Sequence, residues 1–323
     1  MVHAIRIHKT GGPEVLSWDE IEIGKPGPGE VRIRQTAIGL NYFDISIRTG
    51  AFVVPVPTVL GNEGTGIIEE RGPGVTDLKI GDRVAYCTAP TGSYTEARLV
   101  PAGRLIKIPD GISDQQAAAV TLKGLTAWYL LRKTHCVTPG ETILYHAAAG
   151  GVGTLACQWA RWLGATVIAT CSTSKMELAR QNGAAHVIDY TKEDFVQRVM
   201  EITGGKKVPV VYDSVGKDTF LKSIDCVAPT GVLVSFGSSS GAAEPFTTDL
   251  LALKGGLFVT RPTLAHYAPT TDVLRAAAKQ VYDLVIAGVL KIQIGQTYPL
   301  KDAAQAHRDL EARKTTGSTV LLV

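Results

Sequence analysis

The sequence predicts an α/β protein of two domains, one rich in β-strands and one built on a doubly wound parallel sheet. Its 323 residues, 45% of them hydrophobic, are enough for two cores. Alternating strands at residues 4–8 and 30–34, among Gly and Pro clusters, indicate the β-rich domain. From about Leu122, apolar strands alternate with helical segments, which is typical of a parallel sheet.

Apolar runs with the length of buried parallel strands define the second domain. Helical stretches such as residues 193–202 separate these runs, and the Gly204-Gly205 pair ends that helix. The pattern therefore predicts a six-stranded, doubly wound sheet of the Rossmann type. The predicted strands are residues 142–145, 165–169, 185–188, 208–212, 231–236 and 257–260.

The tail from about Pro262 loses this rhythm and resembles the first segment more than the second. We therefore expect the tail to return to the N-terminal domain. The predicted domains are residues 1–122, completed by 262–323, and residues 123–261. Within the tail, the elements expected are a long helix at 272–287, a strand at 290–295, a short helix at 302–312 and a final strand at 318–323.

Composition narrows the classes of function. The net charge of +3 is small and the basic residues are dispersed, so nucleic acid is an unlikely partner. Five cysteines without a C-x-x-C pair indicate neither a disulfide framework nor a cysteine zinc site, and favour the reducing cytoplasm. The uncharged residues 142–160 contain three glycines, so we interpret them as strand, turn and helix and expect no membrane span.

A glycine-rich turn follows the predicted strand at 142–145. The pattern Ala148-x-Gly150-x-x-Gly153 stands between this strand and a helix, which is the setting of a dinucleotide-binding fingerprint. Small residues let the backbone approach a pyrophosphate, and the helix N-terminus offers free N–H groups. Ala148 departs from the usual first glycine, and a purely steric turn is the alternative interpretation.

The end of the next predicted strand selects the cofactor. An NAD enzyme places Asp or Glu there, about 20 residues after the turn, to accept from the ribose hydroxyls. Residues 168–175 of this chain contain no Asp or Glu, and Glu177 is the first acid after them. Ser172, Ser174 and Lys175 can instead hydrogen-bond and neutralise a 2′-phosphate. The sequence therefore predicts NADPH. The alternative is that this stretch only caps the next helix, with Ser174 as the N-cap.

Further motifs cover almost the whole chain, and with them the chain resembles the medium-chain dehydrogenase/reductase superfamily. Within it, the chain is similar to the zinc-independent quinone oxidoreductases, the ζ-crystallin-like branch. The resemblance implies a GroES-like catalytic domain, a Rossmann domain, an active site in the cleft between them, and commonly a homodimer. The motifs are GGPEVL (11–16), GLNYFD (39–44), GNEGTG (61–66), GDRV (81–84), LKGLTA (122–127), AAAGGVG (147–153), VYDSVG (211–216) and VSFG (234–237).

Two asparagines argue against a metal. Zinc-dependent relatives carry a Cys where this chain has Asn41 and a His where it has Asn62, and neutral amides cannot replace a thiolate and an imidazole. The four-cysteine lobe that holds structural zinc in those relatives is also missing. We therefore expect no metal, and we expect the seven dispersed histidines to occupy surface or capped positions.

Without a Lewis acid, reduction of an electrophilic acceptor is favoured over oxidation of an alcohol. The predicted catalytic residues are Asn41, Asp44 and Lys123, and the amide of Asn41 suits the donor that a developing oxyanion needs. Asn41 as a cap of the turn at 41–44, and Lys123 as a snorkelling helix lysine, are the alternatives. Tyr42 and Phe52 can stack on a flat quinone or belong to the core.

The resemblance also implies the cofactor contacts. Lys123 and Thr126 would lie along the nicotinamide ribose, and Ser174, Lys175 and Tyr190 around the 2′-phosphate. Tyr190 has its own rationale, since its ring can pack beside adenine, although a plain strand-end tyrosine is the alternative. The full predicted set is Asn41, Lys123, Thr126, Ala149, Gly150, Gly151, Val152, Gly153, Ser172, Ser174, Lys175, Tyr190, Ser214, Phe236, Ser238, Phe258, Thr260 and Arg261.

The leading hypothesis is an NADPH:quinone oxidoreductase that transfers hydride to small quinones. An NADPH-dependent enal or enone reductase on the same scaffold is the nearest alternative. A weakly catalytic NADPH-binding or RNA-binding protein is a third, because fold alone does not fix function.

Overall fold

The computed structural model describes residues 1–88 and 90–323, which form two compact units. Unit 1 comprises Met1–Leu125, Ala268–Gly288 and Ile292–Val323. Unit 2 comprises Thr126–Tyr267 and Val289–Lys291. Lys123, which lies in the range predicted for the second domain, belongs to unit 1.

Strands and helices are numbered in chain order. The strands are β1 (Val2–Ile7), β2 (Leu16–Ile21), β3 (Glu30–Leu40), β4 (Thr58–Val59), β5 (Glu63–Arg71), β6 (Arg83–Cys87), β7 (Ala97–Pro101), β8 (Ile106–Lys107), β9 (Thr142–Tyr145), β10 (Thr166–Cys171), β11 (His186–Asp189), β12 (Val208–Asp213), β13 (Val227–Ser235), β14 (Phe258–Thr260), β15 (Ile294–Pro299) and β16 (Ser318–Leu322). The helices are α1 (Tyr42–Thr49), α2 (Asp114–Tyr129), α3 (Gly151–Trp162), α4 (Met176–Gln181), α5 (Phe195–Ile202), α6 (Phe220–Cys226), α7 (Thr248–Leu253), α8 (Leu264–Tyr267), α9 (Thr271–Ile286) and α10 (Ala303–Glu311).

Unit 1 is built on a seven-stranded sheet in the order β15-β16-β3-β5-β6-β8, with β7 also paired to β3. Val31 and Ile33 of β3 are buried while Arg32 and Arg34 point outward, as the alternating pattern predicts. The final strand β16 pairs antiparallel with β3, so the end of the tail lies in the same sheet as the N-terminal strands.

One tail element differs from the expectation. The strand predicted at 290–295 begins only at Ile294 and continues to Pro299. Residues Val289–Lys291 belong to unit 2, so the chain reaches the sheet of unit 1 only after them. The apolar run reflects burial of Leu290, which is 1% exposed, rather than strand pairing.

Unit 2 contains the predicted six-stranded sheet, in the order β11-β10-β9-β12-β13-β14. Every neighbouring pair is parallel, which confirms the doubly wound fold. Residues 142–160 form β9, a turn and most of α3, as expected. Within the described ranges no helix is both long and apolar enough to cross a membrane.

Helix α3 packs on this sheet through an apolar stripe along one of its faces. Leu155, Ala156 and Trp159 are at most 3% exposed. Trp162, off the stripe, is 57% exposed. Since each buried large side chain contributes about 1.5–3 kcal/mol, the stripe fixes the helix, and with it the turn that precedes it.

Candidate active site

The glycine-rich turn leaves the carboxyl end of β9 and starts α3. Ala147 adopts a φ of 52°, the left-handed region that disfavours a side chain, and its carbonyl accepts from the Gly150 N–H at 3.0 Å. The Ala148 N–H donates to the Thr170 carbonyl of β10 at 3.2 Å. The turn is therefore tied to the neighbouring strand, and alanine at 148 does not prevent it.

Gly153 is the position that cannot carry a side chain. A Cβ there would lie 2.5 Å from the Ala147 carbonyl oxygen and 2.7 Å from the Ala148 Cα, so helix and turn touch as they do in dinucleotide sites. Helix α3 has no acid in its first turn and begins after Gly150, which has no side chain to cap it. Its first N–H groups are therefore suited to an anion such as a pyrophosphate.

The other predicted cofactor residues of unit 2 gather where strands end. Since the carboxyl ends of parallel strands meet at one edge of a sheet, they line the usual ligand edge of this fold. Phe258 is an exception, because it pairs with Val232 near the opposite end of a three-residue strand and is 65% exposed. Thr126 lies on α2. The residues after strand ends are Ser172, Ser174 and Lys175 (β10), Tyr190 (β11), Ser214 (β12), Phe236 and Ser238 (β13), and Arg261, with Thr260 closing β14.

The stretch after β10 is not the helix cap that the alternative interpretation required. Ser172 precedes a 3₁₀ turn at Thr173–Lys175, and α4 starts only at Met176. Ser174 lies inside this turn and is exposed, so its assignment as an N-cap is wrong. An exposed hydroxyl beside Lys175 is consistent with a phosphate site.

A carboxylate that the sequence reasoning missed lies beside this stretch. Asp189, the last residue of β11, is 4% exposed and accepts hydrogen bonds from the hydroxyls of Thr173 and Thr191. The Thr173 hydrogen bond, and then those from Thr191, lower the pKa of Asp189. Its acceptor oxygens are already engaged, which distinguishes it from a ribose-binding acid. The sequence signal that could have identified Asp189 is its position directly after the third predicted strand, residues 185–188.

His146, directly before the turn, is fully buried, so the expected surface position is wrong for it. Ser223 donates to Asp213 at 3.0 Å, so the His146 Nε2–H must donate to Ser223 Oγ, also at 3.0 Å, and Nδ1 accepts from Thr170 at 2.8 Å. Burial lowers the pKa of His146, against the effect of the Asp213 charge. A neutral histidine thus links the ends of β9, β10 and β12.

The predicted catalytic residues lie in unit 1. Asn41 precedes α1, and its backbone N–H donates to Asp44 Oδ2 at 3.0 Å. Asn62, 3% exposed, donates from Nδ2 to Asp44 Oδ1 at 2.8 Å. Asn41 is therefore the N-cap of α1, in a capping box with Asp44, as its alternative interpretation held. Its Nδ2 group has a further partner.

That partner is Glu63, which sequence reasoning left without a role. The Glu63 Oε2 atom accepts from Asn41 Nδ2 and from Lys123 Nζ, each at 3.0 Å, and Oε1 accepts from the Leu122 N–H at 2.6 Å. Glu63 is fully buried and Lys123 is 5% exposed. The snorkelling alternative for Lys123 is therefore wrong, because its ammonium is paired inside the protein.

Asp44 is also the end of a directional hydrogen-bond chain. Arg48 can only donate, so His307 Nδ1 accepts at 3.2 Å, and the Nε2–H donates to Tyr94 Oη at 3.1 Å. Tyr94 then donates to Asp44 Oδ2 at 3.0 Å. Burial raises the pKa of Asp44 to about 6, although hydrogen bonds from Asn62, Asn41 and Tyr94 oppose the shift.

His307 lies on α10 and is fully buried, a second departure from the expected surface histidines. Burial, and then the neighbouring Arg48 charge, lower its pKa to about 3. Arg48 in turn forms a bidentate ion pair with Glu311. The tail helix thus supports the segment that carries Asn41.

The donor set does not fit zinc. Asn41 and Asn62 stand at the two positions where zinc-dependent relatives have ligands, and their side-chain nitrogens donate to carboxylates. The Lys123 ammonium donates to Glu63 Oε2, the same oxygen that accepts from Asn41. The residues that the structure describes include no group of three His, Cys, Asp or Glu able to hold a metal. The absence of a metal stays a prediction, to be tested on the protein.

Aromatic side chains stand exposed beside this polar cluster. Phe52 is 49% exposed and packs edge-on against Phe43, with ring centroids 4.8 Å apart. Phe52 is therefore not a core residue. Its stacking on a quinone, like that of Tyr42, stays a prediction.

Comparison with known proteins is consistent with both units. The family described as "Alcohol dehydrogenase GroES-like domain" matches residues 27–110, and that described as "Zinc-binding dehydrogenase" matches residues 151–270. The quinone oxidoreductase of Pseudomonas aeruginosa is 52% identical over 324 residues, covering 100% of both chains. The 2-haloacrylate reductase of a Burkholderia species is 48% identical, covering 100% of this chain and 99% of the relative.

A solved structure gives the same picture. The crystal structure of Escherichia coli quinone oxidoreductase complexed with NADPH is similar with a TM-score of 0.98 at 46% identity. The similarity covers 99% of this chain and 100% of that one. Fold and sequence therefore agree along the full length.

Proposed function

We propose that this chain reduces quinones with NADPH, because it belongs to the zinc-independent quinone oxidoreductases of the medium-chain dehydrogenase/reductase superfamily. The observation that carries the proposal is full-length identity of 46–52% to quinone oxidoreductases, together with the NADPH complex of one of them. The residues of unit 2 fit that cofactor, since Gly153 leaves the space that a Cβ would fill and Lys175 follows β10.

Each part of the cofactor has a candidate partner in this chain. The N–H groups at the start of α3 bind the pyrophosphate, and Ser174 and Lys175 bind the 2′-phosphate. Tyr190 packs beside the adenine. Bound NADPH supplies a hydride, and the chain contributes orientation and electrostatics.

The polar cluster of unit 1 serves the acceptor. A quinone that receives hydride gains negative charge on an oxygen, and preorganised donors stabilise that charge. Lys123 is the donor, because its ammonium has N–H groups beyond the one given to Glu63. Asn41 donates both Nδ2–H groups inside the protein, to the Gly39 carbonyl at 3.1 Å and to Glu63 at 3.0 Å, so it helps to position Glu63. Asp44 holds the backbone of Asn41 in place. None of these steps requires a Lewis acid.

The direct test follows the absorbance of NADPH with 1,4-benzoquinone as acceptor. We expect rapid oxidation of NADPH, much slower oxidation of NADH, and one hydroquinone formed for each NADPH consumed. Tight binding of NADPH without turnover across a broad acceptor panel would instead favour the binding-protein hypothesis.

Reduction of an activated alkene is the second candidate function. The 48% identity to a 2-haloacrylate reductase favours it, because that relative acts on a conjugated carboxylate with the same fold. Parallel assays with 1,4-benzoquinone, a medium-chain 2-alkenal and 2-chloroacrylate separate the two. A specificity constant higher for either alkene would reassign the main activity.

We further propose a cytoplasmic homodimer. The described cysteines are all free, which suits a reducing compartment. Strand β14 is an edge of the sheet of unit 2, and Phe258 there and Leu253 on α7 are 65% and 83% exposed, so an apolar surface lies near an open edge. Light scattering should give the mass of a dimer for wild type. Phe258→Asp should lower this mass, whereas the control variant Trp162→Asp, on the exposed side of α3, should leave it unchanged.

A further inference from the structure

Lys123 is a buried charged group of unit 1 with one ion-pair partner, Glu63. Its Nζ atom lies 3.0 Å from Glu63 Oε2, and no second acceptor for this ammonium occurs among the residues that the structure describes. The side chain is 7% exposed, so water cannot replace the missing partners freely. A buried ammonium with N–H groups to spare is poised to donate to a bound molecule.

The position of this ammonium indicates its role. Asn41 and Asn62 stand where zinc-dependent relatives carry ligands, and Asn41 Nδ2 and Lys123 Nζ each lie 3.0 Å from the same Glu63 oxygen. A fixed positive charge therefore adjoins the place where those relatives hold a metal cation. Both a cation and an ammonium stabilise negative charge that develops on an acceptor oxygen.

Glu63 is held so that it can position this charge. Its two oxygens accept three hydrogen bonds, from Asn41, Lys123 and the Leu122 N–H. Gly39 lies opposite Glu63 in the pairing of β3 with β5, and a Cβ on Gly39 would come within 2.3 Å of Oε2. Glycine at position 39 therefore leaves the room that the Glu63 carboxylate occupies.

We infer that Lys123 takes the electrostatic role that zinc has in the zinc-dependent relatives, as the cation and proton donor for the acceptor oxygen, and that Glu63 is its positioning residue. This inference rests on the proposed quinone reduction. Hydride transfer forms a C–H or O–H bond on the quinone and leaves one oxygen anionic. The Lys123 ammonium donates a proton to that oxygen and regains it from solvent. One quinone, one NADPH and one proton thus give one hydroquinone and NADP⁺.

The first test needs no turnover. 4-Nitrophenol, a quinone-sized phenol whose anion absorbs visible light, is titrated with pH on the protein saturated with NADP⁺. We expect the bound phenol to ionise at least about one pH unit lower in wild type than in Lys123→Met, a tenfold effect. Lys123→Arg should retain part of this shift in the ionisation of the phenol. The control variant Lys279→Met, on the exposed face of α9, should retain all of it. Equal ionisation in wild type and Lys123→Met overturns the inference.

The second test separates this role from ribose binding. With 1,4-benzoquinone, Lys123→Met should lower kcat by about 10²–10³-fold while the Kd for NADPH changes little. Glu63→Gln should lower kcat less and change its pH profile, and Lys123→Arg should rescue part of the loss. A raised Kd with unchanged kcat would assign the ammonium to the ribose and refute the inference. If wild type itself does not reduce benzoquinone, the proposed function fails, and the nitrophenol titration still decides the role of Lys123.

Discussion

The guanidinium of Arg48 donates to Nδ1 of His307 across 3.2 Å, in the buried part of unit 1. Because Arg48 has no acceptor atom, this contact keeps the imidazole neutral and places its proton on Nε2, facing Tyr94. Protonation of His307 would put two positive charges in contact. The pair therefore couples the stability of unit 1 to pH.

Acid should destabilise the protein through His307. Its pKa is about 3 in the folded chain and near 6.5 when unfolded, so between these values only the unfolded chain takes up the proton. Stability is full above pH 6.5 and falls by about 1.4 kcal/mol for each pH unit below it. Urea unfolding should show that the His307→Gln variant is less stable than wild type at pH 7. The difference in the free energy of unfolding between the two proteins should be smaller at pH 5.

Two other buried groups define the controls for this experiment. His146 acts in the same direction, because burial lowers its pKa too. Asp44 acts in the opposite direction, since its pKa of about 6 lies above the unfolded value and acid relieves the cost of its buried charge. Asp44→Asn should therefore steepen the loss of stability between pH 6 and pH 4. An exposed substitution, His186→Gln, that changed the slope equally would disprove the assignment.

The buried Glu63–Lys123 pair should show strong coupling in a double-mutant cycle. Glu63→Gln or Lys123→Met alone leaves an unpaired buried charge and should lower the free energy of unfolding by about 3–5 kcal/mol. The double variant should lose less than the two single losses combined, measured by urea unfolding at pH 7. Strict additivity would show that the two side chains do not interact in solution.

Gly153→Ala should disrupt the dinucleotide turn. Its Cβ would lie 2.5 Å from the Ala147 carbonyl oxygen, so the turn and the helix must separate. We expect the free energy of unfolding to fall by about 1–3 kcal/mol and the affinity for NADPH to fall at least about tenfold. Gly150→Ala is the comparison for stability, because its Cβ meets the same oxygen at 3.3 Å. Calorimetry and NADPH fluorescence measure the two effects. Equal stability losses in both variants would contradict this account.

Lys175→Ala should weaken NADPH and spare NADH. A hydrogen bond to a charged phosphate contributes about 1.5–3 kcal/mol, so the Kd for NADPH should rise by about 10–100-fold. Fluorescence titration with both cofactors tests this, with Lys222→Ala on α6 as the control lysine. An equal loss for NADH would assign Lys175 to a part of the cofactor that the two dinucleotides share.

Metal analysis should find far less than one zinc per chain, and chelators should leave turnover intact. The physical reason is that the Asn41 and Asn62 nitrogens donate to Glu63 and Asp44 and have no lone pair to offer. Mass spectrometry of the dialysed protein measures the content. Stoichiometric zinc, lost together with activity on treatment with 1,10-phenanthroline, would refute this prediction.

Local patterns of sequence predicted what is local in the fold. The strand Thr142–Tyr145, the turn and α3 are adjacent in the chain, so residue spacing and glycine content were sufficient to find them. The parallel sheet was predictable for the same reason, as a series of short apolar runs. Phe258 shows where such local prediction ends. Which edge of the sheet Phe258 lies near depends on the register of β14 with β13, and the residue spacing within one strand does not encode that register.

The polar partners were not predictable, because they come from distant segments. Lys123 meets Glu63 across 60 positions, and His307 meets Arg48 across 259. A single sequence does not say which of many carboxylates a lysine will reach. Burial was equally hidden, since isolated histidines are usually on surfaces, whereas His146 and His307 are fully buried in networks that satisfy both ring nitrogens.

The pairing of β16 with β3 has a consequence for biosynthesis. A ribosome releases the segment with Asn41, Asp44 and Glu63 early, but the α10 helix and β16 strand that support it emerge only after all the residues 126–267 of unit 2. The nascent nucleotide-binding unit can therefore assemble while its companion is still missing a sheet strand and His307. Premature termination before Ser318 would leave β3 with an open edge, a form suited to capture by chaperones or proteases rather than to turnover.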